Sequence, residues 1–381
     1  MNFELKEELQ KEAIDSHIKY GKKSTVCASV GSGKGVIAVK RIKSYLELNL
    51  DTINILFAGG REVYLNTFKR ELIQWEMEDI IPLITFSCSS SLHKFKNQDW
   101  GLIIIDEVHK NAEQNVNFIE NYKNKDCEIL LLTGTPIPFD SELGQKMYNI
   151  APISFKRGID VNIENKLLND YKIYILHHSL DNEDKYIQYG AKLKQTEQTK
   201  YNWLAYNYQK YQYSSQRRKF PLELMRIKQF FNNLKSKEQL TKTLISKISG
   251  KLLVYAGCIE QSEQFGLCTY HSKKKKKDRE VVLNEFINSE SNVLINVAGI
   301  RESVNIPNVK FGIIMTPGAS PSNLEQTIGR FSRLVVGEIA QIIILCARNT
   351  LEEQWLRNSL IKLDRNKISK INIDQIENLY K

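Results

Sequence analysis

The chain has 381 residues and a mass of 44.1 kDa, more than one ordinary hydrophobic core accommodates and enough for two domains. With 42% hydrophobic and 26% charged residues its composition is globular, no apolar run approaches the roughly 20 residues of a membrane helix, and the opening Met1-Asn2-Phe3-Glu4 lacks a signal-peptide pattern, so a cytoplasmic protein with no membrane partner is expected. A formal charge of +10 favours an anionic partner, nucleic acid first, and the six cysteines, none in a Cys-x-x-Cys pair, argue against a zinc site and a disulfide framework.

In chain order, Phe3 to Lys19 has the apolar spacing of a helix through Leu5, Leu9, Ala13 and Ile14, and it carries Gln10. A short strand from Thr25 to Ser29 then runs into Val30-Gly31-Ser32-Gly33-Lys34-Gly35, followed by a helix-periodic segment through Val36, Ile37, Val39 and Ile42. Strand, glycine loop and helix in that order are what a phosphate-binding loop requires. The glycines let backbone N–H groups converge on phosphate oxygens, the helix N-terminus adds a favourable dipole, and Lys34 adds a point charge. Taken alone, the motif is equally an ordinary glycine turn with a surface lysine. Two residues depart from the general pattern: Ala28 stands in place of the first glycine, and Gly35 in place of the Ser or Thr that ligates magnesium. The second departure predicts a raised magnesium requirement and slow turnover, relieved by Gly35→Thr if the surroundings have room for a branched side chain.

Further on, Ile53 to Ala58 reads as a buried strand, and Gly59-Gly60-Arg61 turns into a helix carrying Leu65, Phe68, Leu72 and Trp75. Ile81 to Phe86 follows. The run Leu102-Ile103-Ile104-Ile105 then leads straight into Asp106-Glu107-Val108-His109, and Glu128 to Leu132 ends in Thr133-Gly134-Thr135-Pro136. An unbroken apolar run suits a central parallel strand covered on both faces, and strands alternating with helices imply a parallel sheet whose carboxyl edge gathers the lysine, the acids and the threonines. In an extended segment Asp106 and Glu107 point apart, so Asp106 can hold a magnesium-bound water while Glu107 orients the attacking water. For an isolated Asp-Glu pair, a solvated acidic turn is the plainer alternative.

In the second half, Lys251 to Ala256, Cys268 to His271, Asn292 to Asn296, Lys310 to Met315 and Ile339 to Cys346 are short apolar runs separated by helical stretches, hence a second α/β sheet. Between Leu180 and Leu252 no strand-like run is expected. There Tyr201, Trp203, Tyr206, Tyr208, Tyr211 and Tyr213 interleave with Lys200, Lys210, Arg217, Arg218 and Lys219. That composition suits a stacking platform for a single strand, but Tyr201, Leu204, Tyr208 and Tyr211 recur at helical spacing, which favours a helical hairpin packing its own aromatic face. The tail from Thr350 reads as charged and helical.

The series GSGK, DEVH and TGTP, with Gln10 upstream and Gln326-Thr327-Ile328-Gly329-Arg330-Phe331-Ser332-Arg333 near the C-terminus, resembles the superfamily 2 helicases and translocases of the DExH kind over nearly the whole chain. The stretch Thr85 to Leu92 resembles most the Swi/Snf-type and restriction-translocase branches. The resemblance implies two tandem RecA-like lobes, residues 1–158 and 159–349, with a helical insertion at about 181–248 and a helical tail over 350–381. ATP and Mg2+ are the implied cofactors, nucleic acid, DNA rather than RNA, is the implied partner, and the insertion or tail is open to a protein partner.

The resemblance also distributes roles. Asp106 is the metal residue and is catalytic together with Glu107, His109, Gln326, Arg330 and Arg333, the two arginines reaching the γ-phosphate from the second lobe. Gln10, Val30, Gly31, Ser32, Gly33, Lys34, Gly35 and Asn305 bind nucleotide, and Thr133 and Thr135 couple the lobes. Arg61, Ser87, Ser89, His271, Gly299 and Arg301 lie along the nucleic acid. The segment Gly299 to Pro307 departs from the family's fifth motif, with Ser303 in place of glycine and Asn305 in place of aspartate, so a ribose contact survives there better than a salt bridge. The reading is an ATP-dependent translocase or helicase; a nucleotide-gated clamp with little turnover is the alternative that Gly35 raises.

Overall fold

The computed structural model describes residues 3–29, 31–48, 54–60, 62–124, 126–165, 167–189, 193–214, 217–289, 292–297, 306, 309–331 and 337–379. The chain divides into two compact units, Met1–Leu168 and Asn169–Lys381. Among the described residues no helix is long and apolar enough to cross a membrane.

The first unit is built on six parallel strands: β1 (Lys23–Ala28), β2 (Ile55–Gly59), β3 (Ile84–Cys88), β4 (Leu102–Ile105), β5 (Glu128–Thr133) and β6 (Ile153–Arg157), in the spatial order β3-β2-β4-β5-β1-β6. Side chains alternate across a strand, and here both alternating sets are buried. Leu102, Ile104, Leu130 and Leu132 pack on one face with Ile37 and Leu72. Ile103, Ile105, Ile129 and Leu131 pack on the other with Val116 and Met147. The two covered faces explain why β4 carries no polar residue. Three helices bear on the site: α1 (Phe3–Lys19), α2 (Lys34–Leu48) and α3 (Glu62–Gln74). The short helix Ile159–Glu164 belongs to this unit, where Asn162 donates to Ser29 Oγ at 2.7 Å and Leu167 joins the core.

The second unit holds seven parallel strands. They are β7 (Tyr171–His178), β10 (Leu252–Tyr255), β11 (Thr269–Tyr270), β12 (Val293–Asn296), β13 (Phe311–Ile314), β14 (Ala340–Ala347) and β15 (Ile368–Ile371), in the order β11-β12-β10-β13-β14-β7-β15. An antiparallel pair, β8 (Ile187–Tyr189) with β9 (Leu193–Gln195), opens the insertion. Two lobes of parallel α/β sheet are thus present, as the motif order implies.

Four features differ from the sequence reading. β6 and β7 add strands to the sheets, and the insertion begins with a hairpin where no strand was expected. The tail is not helical throughout: after helix Leu351–Ser359 it contributes β15, which pairs with β7 from Ile368 against Ile173 to Ile371 against Leu176. A four-residue edge strand with its middle residues exposed has too little apolar periodicity to announce itself. Within the insertion, Tyr201, Leu204, Phe230 and Phe231 form a core with Trp355, so the tyrosine stripe serves packing, while Tyr206 and Tyr213 remain exposed.

A fully buried ion pair ties the insertion helix Lys235–Lys247 to the helix Leu351–Ser359. Lys237 Nζ meets the Glu352 carboxylate, and the other Glu352 oxygen accepts from Ala347 N at 2.8 Å. Burial pushes the Glu352 carboxyl up and the adjacent Lys237 charge opposes it. Removing one partner strands the other charge in the interior, so Glu352→Leu is expected to destabilise the chain by about 3–5 kcal/mol. Urea unfolding checks this, and a loss below about 1 kcal/mol would show that the pair is not the anchor its burial suggests.

Candidate nucleotide site

The carboxyl ends of β1, β4 and β5 lie side by side, with Cys27 opposite Thr133 and Ile105 opposite Leu131. Parallel pairing therefore delivers the three loops to one edge, where open α/β sheets bind ligands.

The glycine loop leaves β1 through two residues with left-handed backbone, Gly31 at φ 87° and Gly33 at φ 82°, which only glycine adopts without strain. Ser32 is fully buried and donates to Ser29 O at 2.7 Å, so its side chain braces the loop. Gln10 on α1 is buried, with its amide nitrogen 2.6 Å from where a Cβ on Gly33 would stand. Lys34 begins α2 and donates to Ala28 O at 3.2 Å. Val30 lies outside the described residues.

The acids do not continue β4 as an extended strand. Asp106 N still pairs with Ala58 O at 2.8 Å, but Glu107 has φ 50° and accepts at its carbonyl from Lys110 N at 2.8 Å, a tight turn. The expected alternation of an extended pair is replaced by a left-handed residue, a conformation that costs a non-glycine residue about 1–2 kcal/mol. The turn is held by Val108 N donating to Leu132 O at 3.0 Å and by Glu107 N donating to Asp106 Oδ1 at 2.9 Å. Its effect is to bring Glu107 to the lysine: Lys34 Nζ lies 3.7 Å from Glu107 Oε1.

His109 and the threonines complete the edge. His109 Nδ1 lies 3.3 Å from Glu107 Oε2 and 2.9 Å from Thr133 Oγ1. Thr133 Oγ1 in turn donates to Thr135 O at 2.9 Å and accepts from Thr135 N at 3.0 Å. Burial pushes the Asp106 carboxyl up to about 7, the Glu107 charge adds to the rise, Lys34 opposes it, and Glu71 raises it further. Burial also works to raise Glu107, but Lys34, then His109 and Lys110, outweigh it and hold that carboxyl below its ordinary range. The two acids are thus made unlike by their surroundings, with the anion concentrated on Glu107.

Among the described residues no group of three or more His, Cys, Asp or Glu is arranged to hold an ion alone. Magnesium keeps most of its waters and is held by one or two carboxylates together with substrate phosphates; the Asp106 carboxylate is a donor of that kind. Gly35→Thr finds room only if the Glu71 carboxylate moves aside, because a Cβ there would stand 2.7 Å from Glu71 Oε1 and closer still to the rest of that carboxylate. Glu71 carried no signal in the sequence: its neighbours are an ordinary amphipathic helix.

In the second unit, Gln326 and Arg330 sit on the helix Pro321–Phe331, with Gln326 buried. That helix is fixed by Phe331, whose buried ring would collide with a Cβ on Gly312, so β13 needs a glycine there. Ser87 and Ser89 are both buried, at 4% and 1% exposure, at the carboxyl end of β3. His271 is buried as well, with Nε2 3.3 Å from Glu263. Arg61, Gly299, Arg301, Asn305 and Arg333 lie outside the described residues.

Residues 225–335 match the family described as the helicase conserved C-terminal domain. The fold matches S. cerevisiae Dbp5 bound to RNA and ADP BeF3 with a TM-score of 0.61 and 13% identity, covering 98% of this chain and 91% of that one. It matches the Pyrococcus furiosus Hef helicase domain with a TM-score of 0.53 and 13% identity, covering 92% and 98%. Residues 225–335 thus match the helicase C-terminal domain, and the two parallel-sheet lobes have the tandem RecA-like fold of these solved structures.

The sequence relatives of this chain are described in similar terms. It is 24% identical over 354 residues to the killer plasmid pGKL-2 helicase of Kluyveromyces lactis and 25% identical over 340 residues to putative helicase 22 of a Sulfolobus islandicus filamentous virus, in each case covering 81% of this chain and 57% of the relative. To the ATP-dependent RNA helicase DHH1 of Encephalitozoon cuniculi it is 26% identical over 151 residues, 36% of this chain and 30% of the relative. The chain therefore spans between 30% and 57% of the length of these relatives.

Proposed function

We propose that this chain is an ATP-driven nucleic-acid translocase or helicase, with DNA as its track. The observation that carries the reading is the linked series Lys34, Glu107, His109 and Thr133 at one sheet edge, with distances of 3.7, 3.3 and 2.9 Å between successive members. The relatives named above are all described as helicases or helicase domains apart from Dbp5, whose described complex contains RNA and a nucleotide; the low-turnover clamp finds no support among them.

The chemistry follows from the residues. Backbone N–H groups of Gly31 to Lys34 and the Lys34 ammonium cradle the phosphates, and Gln10 stands where it can read the base or its sugar. Asp106 would hold magnesium, which when bound would neutralise charge on the phosphate oxygens. Glu107, kept ionised, orients the attacking water and accepts its proton. Arg330 and Arg333, with Gln326 as a helper, stabilise charge that builds on the transferring phosphoryl, acting once the lobes close. His109 Nδ1 pairs with Thr133 Oγ1 while lying 3.3 Å from the Glu107 carboxylate, so charge at Glu107 bears on Thr133 and the loop after β5. Nucleic acid lies along the edge at Arg61, Ser87 and Ser89 in the first lobe and at His271, Gly299 and Arg301 in the second. The buried serines would contribute through their backbone. A difference in track affinity between the ATP and product states then yields movement.

The nature of the track is tested by binding labelled single-stranded DNA, duplex DNA and RNA with a non-hydrolysable ATP analogue and again with ADP. DNA affinity that exceeds RNA affinity and changes with the nucleotide is the expected result. Preference for RNA would reassign the track, and affinities indifferent to the nucleotide would sink the coupling.

A further inference from the structure

Gly35 lies where phosphate loops ordinarily carry a magnesium-ligating hydroxyl, and the space its missing side chain leaves is filled. A Cβ on Gly35 would lie 2.7 Å from Glu71 Oε1 and nearer still to the carboxyl carbon and to Oε2, closer than real Cβ contacts. Glu71 reaches this point from α3, a different helix, whose backbone is held in place by core packing. Phe68, three residues before it, stacks on Phe57 of β2 with ring centroids 3.8 Å apart, and Leu72 beside it is fully buried. Gly35 directly follows Lys34, whose Nζ lies 3.7 Å from Glu107 Oε1 just past β4, so the α3 carboxylate stands at the same loop that meets the acids.

We propose that Glu71 supplies the magnesium-facing oxygen that a loop hydroxyl supplies in other phosphate loops, and that Gly35 is the clearance its carboxylate needs. The inference rests on the reading of Lys34 and Asp106 as a magnesium-nucleotide site. A carboxylate is a hard oxygen donor well suited to magnesium, but it differs from a hydroxyl in carrying charge. Facing a bare polyphosphate it repels; facing magnesium it attracts. The glycine–glutamate pair therefore makes nucleotide binding depend on the metal more strongly than a hydroxyl would.

The test is equilibrium binding of a fluorescent ATP analogue to the full chain, in chelator and across a magnesium series, with thermal unfolding as the fold control. Glu71→Gln is expected to bind the metal-free nucleotide more tightly than the parent and to need about tenfold more magnesium for half-maximal binding. A parent that binds no nucleotide at any magnesium concentration would refute the site itself. A parent that binds, beside a Glu71→Gln variant with an unchanged magnesium midpoint, would overturn the role of Glu71 and leave the site standing. If Glu71→Gln fails to fold, the pair Gly35→Thr with Glu71→Ala carries the test. The double variant is expected to bind nucleotide with magnesium, whereas Gly35→Thr alone loses binding through collision with Glu71; equal binding by the two would overturn the proposal.

Discussion

Glu107→Gln is expected to lower ATP turnover by about 10²- to 10⁴-fold, the range for loss of a positioned general base, with nucleotide and nucleic-acid affinities close to those of the parent. The amide is nearly isosteric with the carboxylate, so the turn at φ 50° and its hydrogen bonds through Val108 and Lys110 need not change. What is lost is the anion that Lys34, His109 and Lys110 maintain on this buried acid. An amide can hold a water but cannot take its proton. Steady-state hydrolysis measured beside nucleotide binding checks the assignment: turnover at the parent rate would remove Glu107 from the catalytic role, and a parallel loss of binding would make it a structural residue of the edge.

Arg330→Ala is expected to reduce nucleic-acid-stimulated turnover by about 10³-fold or more, in the range of arginine fingers, while ATP affinity falls far less. A group engaged only when charge builds on the transferring phosphoryl raises turnover without strengthening ground-state binding. The helix that carries Arg330 is anchored through Phe331 against Gly312, so truncating the guanidinium leaves the scaffold intact. Single-turnover rates and ATP affinity, measured together, decide it. Equal losses in both would place Arg330 in the ground-state site.

The central strands and the site loops were legible because their signals are local. Four apolar residues before Asp106, and the glycines on either side of Ser32, state their own backbone needs, and the parallel order of the strands brings them together. Other features depend on partners remote in sequence. Glu107 was read as part of an extended strand, yet its left-handed turn is imposed by Leu132 on the neighbouring strand. β15 is too short to show a period and exists because β7 offers a free edge. Glu71 is the sharpest case: on α3 it is one acid among many, and its significance appears only when α3 sets its carboxylate against Gly35, 36 positions earlier in the chain. The absence of a side chain at Gly35 was visible in the sequence; what fills the space was not.

The central claim is that nucleotide hydrolysis at the edge of the first sheet is coupled to a nucleic-acid track. Steady-state ATP hydrolysis by the full chain, measured alone and with saturating single-stranded DNA, duplex DNA or RNA, tests it most directly. The account predicts slow magnesium-dependent hydrolysis by the chain alone and a clear rise with DNA; hydrolysis that no nucleic acid alters, or its absence under every condition, would contradict it.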